Sequence, residues 1–422
     1  MRMVRSTTVA PPPVVLNIIG LFAMSGPYPA GLSYLLAALL AVQHVNIDPS
    51  ILPNHKLQIN AYNTNCSQAQ GLDAFYKEVY NPNRTSILAL GGTCSHVTEA
   101  TAAVANLRNM LQLSYSAVSP HLSNQDLFPS FFRVMTPEQN LTHARVELFR
   151  AFNWTRVFVI YQDYKLFSTL FESIQRDLQN ESIEVKDEML ISTSVLKLKV
   201  DTLKVYDSED GDSDQAWYKK VVWLLPSFFD HHWMNFTGDA KCTPHKIRQA
   251  SNKIAAITIN RAVKNDIPEE FQHMYGRGSK YYDPNSLYAE HRSPEAYDAV
   301  WAIAYALNNT LTSLRKNDPS MGLGNISFHN NTFFQLLKSH MQNVTFDALS
   351  GPFSFNARGE RTPGILISRF LNGKVPVDGV HTERRLVRID CRIKVCFWVI
   401  ACAGVLVTVA LLIFNITRRK HK

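Results

Sequence analysis

The sequence lacks the short motifs that mark most nucleotide-dependent and hydrolytic enzymes. No phosphate-binding loop, nucleophile elbow or Gly-x-Gly-x-x-Gly turn occurs in its 422 residues. Metal ligands are scarce as well: His231-His232 and Cys242-x-x-His245 come closest, and no second cluster completes a tetrahedral set. An acidic run after Tyr206 does not fit a calcium-binding loop, because this tyrosine stands where the first carboxylate is required. The sequence therefore predicts no enzyme activity, no metal and no cofactor.

Concentrated positive charge is also missing from most of the chain. The formal net charge is +8, but the basic residues are scattered except near the C-terminus. A nucleic-acid partner would need a basic patch or stripe, which the sequence does not offer. We therefore predict no binding to nucleic acid.

One long apolar run does stand out, over residues 395–416. It contains no charged side chain, and its length suits a helix that crosses a hydrocarbon core of roughly 30 Å. The basic tail that follows, 417–422, is of the kind that stays on the cytoplasmic side. The sequence thus predicts a single-pass plasma-membrane protein, anchored in lipid, with its N-terminus outside the cell.

The segment before this run carries many Asn-X-Ser/Thr triplets, which favour a glycosylated extracellular domain. The 6 cysteines also suit an oxidising compartment. Residues 1–13 show no clear signal peptide, because Asn17 interrupts the apolar stretch that follows and no cleavage site is evident. The acceptor asparagines are Asn65, Asn83, Asn140, Asn153, Asn180, Asn235, Asn308, Asn325, Asn330 and Asn343.

Strand-like and helix-like segments alternate along most of the chain. The pattern predicts a buried helix over 32–46 and a continuous apolar strand over 86–92, and similar pairs follow. Alternation of this kind is typical of parallel sheets covered by helices on both faces, and its length exceeds one ordinary core. We expect two α/β lobes.

The turn after the strand at 86–92 is the best candidate for a ligand site. Gly91 and Gly92 permit a tight turn, and Ser95 opens the next predicted helix. In open parallel sheets ligands lie beyond the carboxyl ends of the strands, and the positive end of a helix favours an anion. Ser95 could instead serve only as a helix cap.

Several stretches, taken in order, resemble the extracellular module of metabotropic GABA-B receptor subunits. They are GLFAMSGPYPAG, the GGTCS turn, LQLSYSAVSPHLSNQDLFPSFFR, SPEAYDAVWAIAYALN and SGPFSFNARGER. The resemblance implies a bilobed, α/β, periplasmic-binding-protein type I fold, the Venus flytrap, followed by a transmembrane α-helix. The implied ranges are 14–134 and 285–345 for lobe 1, 135–284 and 346–380 for lobe 2, 381–394 for a juxtamembrane linker, 395–416 for the membrane helix and 417–422 for the cytoplasmic tail.

The same resemblance implies a class C, G-protein-coupled receptor subunit that works in a heterodimer with a second GABA-B-type subunit. The details ARGER at 357–361 and YQD at 161–163 are more similar to the coupling subunit. The apolar run resembles the first of seven membrane helices, so a G protein is implied only for a form that carries the others. A single-pass binding, decoy or clearance receptor for a small ligand is the alternative.

The resemblance also assigns the ligand contacts, residue by residue. Ser95 matches a serine that contacts an amino-acid-like agonist, whereas Val118, Met135 and Arg292 stand where a hydroxyl, an imidazole and a carboxylate are expected. Arg292 would repel the ammonium group of a zwitterion. The aromatic positions implied to line the site are Tyr28, Tyr115 and Phe228.

Two cysteines match a disulfide of the family, Cys66 and Cys94. Cys242 matches a third cysteine, but the helix that should carry its partner is missing. A strand and a helix are expected before residue 221, and the sequence offers only a shorter acidic stretch there. We therefore expect Cys242 to lack a partner within its lobe, and the second sheet to lack a strand.

Overall fold

A computed structural model describes residues 12–26, 30–162, 165–191, 221–225, 254–259, 293–323, 330–362, 365–369, 377–382, 385–387 and 409–414. Tyr28, Phe228, Cys242, Arg292, Asn235 and Asn325 lie outside these ranges. The described part contains two main sheets and a short hairpin. This arrangement fits the predicted bilobed α/β fold of the periplasmic-binding-protein kind.

The first lobe contains five strands, β1 (Val14–Phe22), β2 (His55–Asn63), β3 (Ser86–Gly91), β4 (Leu111–Ser114) and β5 (Phe131–Arg133). They form one sheet in the order β2-β1-β3-β4-β5, and every neighbouring pair is parallel. All residues of β3 are buried, as expected for a central strand with helices on both faces. The predicted apolar strand is confirmed here.

Three helices connect these strands: α1 (Gly31–Ile47), α2 (Gln68–Val79) and α3 (Ser95–Leu107). The side chain of Ser67 caps α2 by accepting the N–H of Gln70. No charged residue occurs in α1, and many of its side chains are buried against the first core. A helix that is apolar on most sides belongs inside a lobe, and this is where α1 lies.

The second lobe begins with α4 (Thr142–Phe152), β6 (Arg156–Gln162), α5 (Lys165–Asn180) and β7 (Glu184–Ile191). It continues with β8 (Val221–Leu225) and β9 (Ile254–Ile259). β6 pairs in parallel with β7, and β8 with β9. Side chains of α4, α5 and β6, including Phe149, Ile174 and Val159, form a separate core.

The chain then returns to the first lobe with α6 (Ser293–Asn317), α7 (Asn331–Gln342) and a hairpin of β10 (Thr345–Ala348) and β11 (Gly351–Ser354). Leu349 and Phe353 of the hairpin are buried in the same core as α1 and α6. The sequence assigned 346–380 to the second lobe. In the structure the apolar hairpin packs on the first core instead, so the chain leaves the first lobe only after Ser354.

The last described strands are β12 (Ile365–Arg369), β13 (Val377–Thr382), β14 (Arg385–Val387) and β15 (Val409–Phe414). Together with the strands above they complete the second sheet, in the order β14-β13-β12-β9-β8-β15-β6-β7. β15 is antiparallel to both of its neighbours, β8 and β6.

The position of β15 differs from the prediction of a membrane helix over 395–416. Of that range the structure describes 409–414, and these residues form a strand. Short apolar runs rich in Val, Leu and Ile suit a buried strand as well as a helix. β15 lies between β6 and β8 and forms hydrogen bonds with both of these strands. Within the described ranges, no helix has the length and apolar character needed to span a bilayer.

Candidate ligand-binding site

The candidate site lies at the carboxyl end of the first sheet, where β3 turns into α3. Gly91 has φ +116°, and a Cβ atom there would lie 2.3 Å from the carbonyl oxygen of Leu21. Glycine is therefore required at this position, because any side chain would meet both backbone strain and a collision. The turn brings the start of α3 against the ends of β1 and β4.

Ser95 is the first residue of α3 and is 8% exposed. Its Oγ accepts the backbone N–H groups of Val118 and Ser119, at 3.2 and 3.3 Å. A hydroxyl that accepts two hydrogen bonds still has its own proton to donate. The first N–H groups of a helix have no acceptor within the helix and carry partial positive charge. The start of α3 thus offers hydrogen-bond donors suited to a carboxylate or another oxygen anion.

A disulfide between Cys66 and Cys94 holds this turn from the side of β2. The two Cα atoms are 5.6 Å apart, and Cys94 directly precedes the first residue of α3. The predicted pairing is confirmed. His96 strengthens the same contact, since its Nε2 lies 2.7 Å from the carbonyl oxygen of Cys66.

Tyr115 lies beneath the turn, within the core of the lobe. Its ring packs between Phe22 and Tyr34, with centroid distances of 5.3 and 4.6 Å. Its hydroxyl donates to the carbonyl oxygen of Leu21 and lies 2.8 Å from Oγ1 of Thr93. The sequence proposed Tyr115 as a ligand contact. In this conformation it is fully buried and supports the turn from below, because its hydroxyl is already bonded to the backbone of β1.

Two of the three departures from the expected agonist contacts lie in described parts of the chain. Val118 is half-buried and contributes its backbone N–H to Ser95, but its side chain has no polar atom. Met135 is buried at 3% exposure. Neither side chain can replace the hydroxyl or the imidazole of the expected site.

Charged groups that the sequence did not single out surround the same loop. Ser119 Oγ donates to Glu99 Oε1 at 2.6 Å, and His121 Nδ1 lies 3.7 Å from the other oxygen of this carboxylate. Glu99 is four residues after Ser95, which places both on one face of α3. The i, i+4 spacing in the sequence could have indicated this neighbour.

Arg133 and Glu360 form a buried ion pair next to this loop, with side-chain exposures of 0% and 2%. Burial alone would raise the pKa of Glu360, but the guanidinium of Arg133, together with hydrogen bonds from Ser123 and Asn356, holds the pKa below its usual range. Arg133 ends the F-F-R stretch and Glu360 belongs to ARGER. Both motifs were visible in the sequence, but their pairing was not.

Metal binding finds no support in the described ranges, where no three His, Cys, Asp or Glu side chains gather closely enough to hold an ion. The predicted glycosylation sites differ in accessibility. Asn65, Asn140 and Asn308 are half-buried. The exposed acceptors are Asn83, Asn153, Asn180, Asn330 and Asn343.

Comparison with protein families gives one match that covers most of the chain. The model for the receptor family ligand binding region matches residues 34–211 and 218–368. The chain belongs to this receptor family. The match includes the Ser95 turn, both lobes and the segments that cross between them.

Curated relatives narrow the assignment within the receptor family. The chain is 26% identical to mouse gamma-aminobutyric acid type B receptor subunit 1 over 388 residues, 86% of this chain and 40% of the relative. It is 24% identical to rat subunit 2 over 392 residues, 85% and 40% of the two chains. It is 25% identical to subunit 1 of Caenorhabditis elegans over 403 residues, which cover 87% of this chain and 43% of the relative. The chain is therefore a GABA-B-like receptor subunit.

The relatives are longer than this chain and include both subunit types. The chain spans about 40% of the length of the first of these relatives. The identities to subunits 1 and 2 differ by only two percentage points, 26% against 24%. Overall similarity thus indicates the kind of receptor without separating its two subunit types.

Proposed function

We propose that this chain is the non-agonist-binding partner in a heterodimeric, GABA-B-type cell-surface receptor. The observation that carries the proposal is the composition of the site at the start of α3. Ser95 keeps its place at the helix N-terminus, while Val118 and Met135 present apolar side chains where polar contacts are expected. The ARGER and YQD stretches, more similar to the coupling subunit, support the same assignment.

The size of the expected effect follows from the missing contacts. Arg292, which lies outside the described residues, adds a positive charge where an agonist's ammonium group needs an anion. Each lost hydrogen bond, neutral or charge-assisted, costs on the order of 1 to 3 kcal/mol. Losing two or three should weaken agonist binding by at least about a hundredfold.

The proposed partners and location come from the relatives and from the sequence. The partner is a second GABA-B-type subunit of the other kind, since both types are among the relatives. We place the N-terminal part of the chain outside the cell and the chain at the plasma membrane. A G protein would be engaged only by a form that carries further membrane helices.

Calorimetry with GABA on the whole chain in detergent tests the first part of the proposal. We expect no saturable binding at micromolar concentration. A matched variant, Val118→Ser with Met135→His, restores two polar side chains and should bind at least as well as the original chain. Micromolar binding by the unmodified chain would instead make it an agonist-type subunit.

Co-precipitation with an agonist-type subunit tests the second part. We expect the two chains to associate when they are expressed together. Failure to associate, combined with saturable capture of a small ligand, would favour the alternative of a single-pass binding, decoy or clearance receptor. Glycosidase treatment of the same material tests the location, because an extracellular domain should lose apparent mass.

A further inference from the structure

Arg133 lies where the chain first leaves the first lobe, and it is fully buried. Its Nη1 donates to the carbonyl oxygen of Ser119 at 2.8 Å. Its Nη2 donates to Oε1 of Glu360 and to Oγ of Ser123. Because one nitrogen of this buried guanidinium binds a loop and the other binds a carboxylate, it fixes both of them in position.

Glu360 lies on the segment by which the chain leaves the first lobe for the last time. Two backbone bonds hold this segment to the first crossing: Arg133 N–H donates to Gly359 O at 2.9 Å, and Arg361 N–H donates to Arg133 O at 3.0 Å. The carboxylate of Glu360 also accepts the hydroxyl of Ser123 at 2.6 Å and the amide of Asn140 at 3.5 Å. Asn140 precedes α4 of the second lobe, so Glu360 contacts both lobes.

Ser119 connects this crossing to the candidate ligand site. Its N–H donates to Ser95 Oγ, and its carbonyl oxygen accepts from Arg133. Only one residue therefore separates the ligand-facing serine from the ion pair of the crossing. Any displacement of Arg133 must either move this residue or break its bond to it, and Glu360 holds Arg133 in place.

We propose that Arg133 and Glu360 are positioning residues, which hold the loop at 118–119 so that Ser95 keeps its hydroxyl proton directed to a ligand. The inference deepens the proposed function, since it takes Ser95 as part of the ligand site. It also gives a route by which relative movement of the lobes reaches that site. The link runs from Asn140 and Glu360 through Arg133 and Ser119 to Ser95.

Hydrogen exchange of the Val118 and Ser119 amides in the whole chain, measured without ligand, tests the proposal. We expect Glu360→Gln to speed exchange of both amides by at least about tenfold, because the carboxylate that pairs with Arg133 next to Ser119 is replaced by a neutral amide. Ser95→Ala removes their acceptor and gives the upper reference. Ser123→Ala is a milder variant for the case in which Glu360→Gln does not fold.

Glu138→Gln is the matched control. It makes the same change in a second buried ion pair, Glu138 with Arg145, whose side chains are 1% and 2% exposed. This pair makes none of the contacts with 118–119 described above, so its loss reports on general destabilisation. Equal exchange at both amides in Glu360→Gln and Glu138→Gln, or no change in Ser123→Ala, would overturn the proposal.

The exchange readout is independent of the ligand's identity. If calorimetry shows that the site takes a different ligand, or that the chain acts as a decoy, the proposed function fails while the coupling between Glu360 and Ser95 can still be measured. If the exchange result is negative, the receptor assignment is unaffected and only the positioning role is lost.

Discussion

The carboxylate of Asp298 lies 3.5 Å from the guanidinium of Arg361, and both side chains are buried. The N–H groups of Leu349 and Ser350 donate to the same carboxylate, at 2.8 and 3.1 Å. Arg361 also donates to Ser350 Oγ at 2.6 Å and stacks on Phe353. Helix α6, the β10–β11 hairpin and the crossing segment are therefore joined at one buried point.

This pair predicts a pH dependence of stability. Burial raises the pKa of Asp298 from 3.8 to about 6, although Arg361 opposes the shift. At pH values between 3.8 and about 6, the carboxyl group of Asp298 therefore holds its proton more tightly in the folded chain than in the unfolded chain. The contribution of Asp298 to the free energy of unfolding is therefore greatest below pH 4 and falls as pH rises to about 6, by roughly 3 kcal/mol.

Urea unfolding between pH 4 and 7 measures this dependence. Asp298→Asn cannot titrate, so the free energy of unfolding of the original chain should fall relative to the variant over that range. Asp347→Asn removes an exposed carboxylate of β10 and should keep the original curve. A constant difference between the original chain and Asp298→Asn would contradict the prediction.

Removal of the Cys66–Cys94 disulfide should destabilise the first lobe. The two cysteines are 28 residues apart, and closing a loop of that length contributes about 3 to 4 kcal/mol in the chain-entropy account. We expect Cys66→Ser with Cys94→Ser to lower the free energy of unfolding by this amount in urea titrations. Reducing agent should lower the stability of the original chain and leave the variant unchanged. Equal free energies of unfolding of the original chain and the serine variant, both measured without reducing agent, would refute the estimate.

The glycine turn offers a second stability test, with a neighbour as its control. Alanine at position 91 would place Cβ 2.3 Å from Leu21 O at a φ of +116°, whereas at position 92 the nearest atoms are 3.4 Å away. We expect Gly91→Ala to cost at least about 2 kcal/mol and Gly92→Ala clearly less. Thermal unfolding of the two variants, measured under the same conditions, shows which of them loses more stability. A larger loss at position 92 would count against this description of the turn.

The acceptor asparagines should differ in glycosylation. Asn308 lies within α6 and is half-buried, and its Oδ1 accepts the N–H of Leu52 at 3.0 Å, so its Nδ2, the atom that a glycan would modify, is held close to the loop before β2. We expect Asn308 to be unmodified, and the exposed Asn153 and Asn330 to carry glycans. Mass spectrometry of glycopeptides from cell-expressed protein gives the occupancy of each site. Full occupancy at Asn308 would show that this contact opens.

The sequence predicts a membrane helix over 395–416, whereas the structure places 409–414 in the second sheet as β15. Deletion variants distinguish these two alternatives. If 409–414 pairs with β6 and β8, removing 409–422 should speed amide exchange in those strands, because their facing edges lose hydrogen-bond partners. Removing only 415–422 is the control and should change little. Unchanged exchange after the larger deletion would exclude the strand pairing and favour the membrane helix that the sequence predicts.

Local patterns predicted much of the fold. The apolar run of β3, the glycine pair at its end and the serine that opens α3 can each be recognised from a few adjacent residues, and so the turn that holds Ser95 could be predicted. The Cys66–Cys94 pairing followed from resemblance to receptors and agrees with the structure.

Contacts between distant residues could not be predicted in the same way. Arg133 and Glu360 are 227 residues apart, and nothing in their spacing indicates that they meet. The sequence placed 346–380 in the second lobe, whereas Leu349 and Phe353 are buried in the first core, because short apolar strands suit either core. Tyr115 was visible as an aromatic residue near the site, but only the fold shows that its hydroxyl is bonded to Leu21.

The first core combines two distant parts of the described chain, since α1 and β1 pack with α6 and the β10–β11 hairpin. During synthesis, residues up to β5 emerge well before α6, and more than 150 residues separate them. At roughly 5 to 20 residues per second, the part of the first lobe that ends with β5 waits on the order of ten to thirty seconds for α6. Nascent chains of this receptor should therefore depend on chaperones at that stage, and release of the first lobe from them should coincide with the emergence of α6.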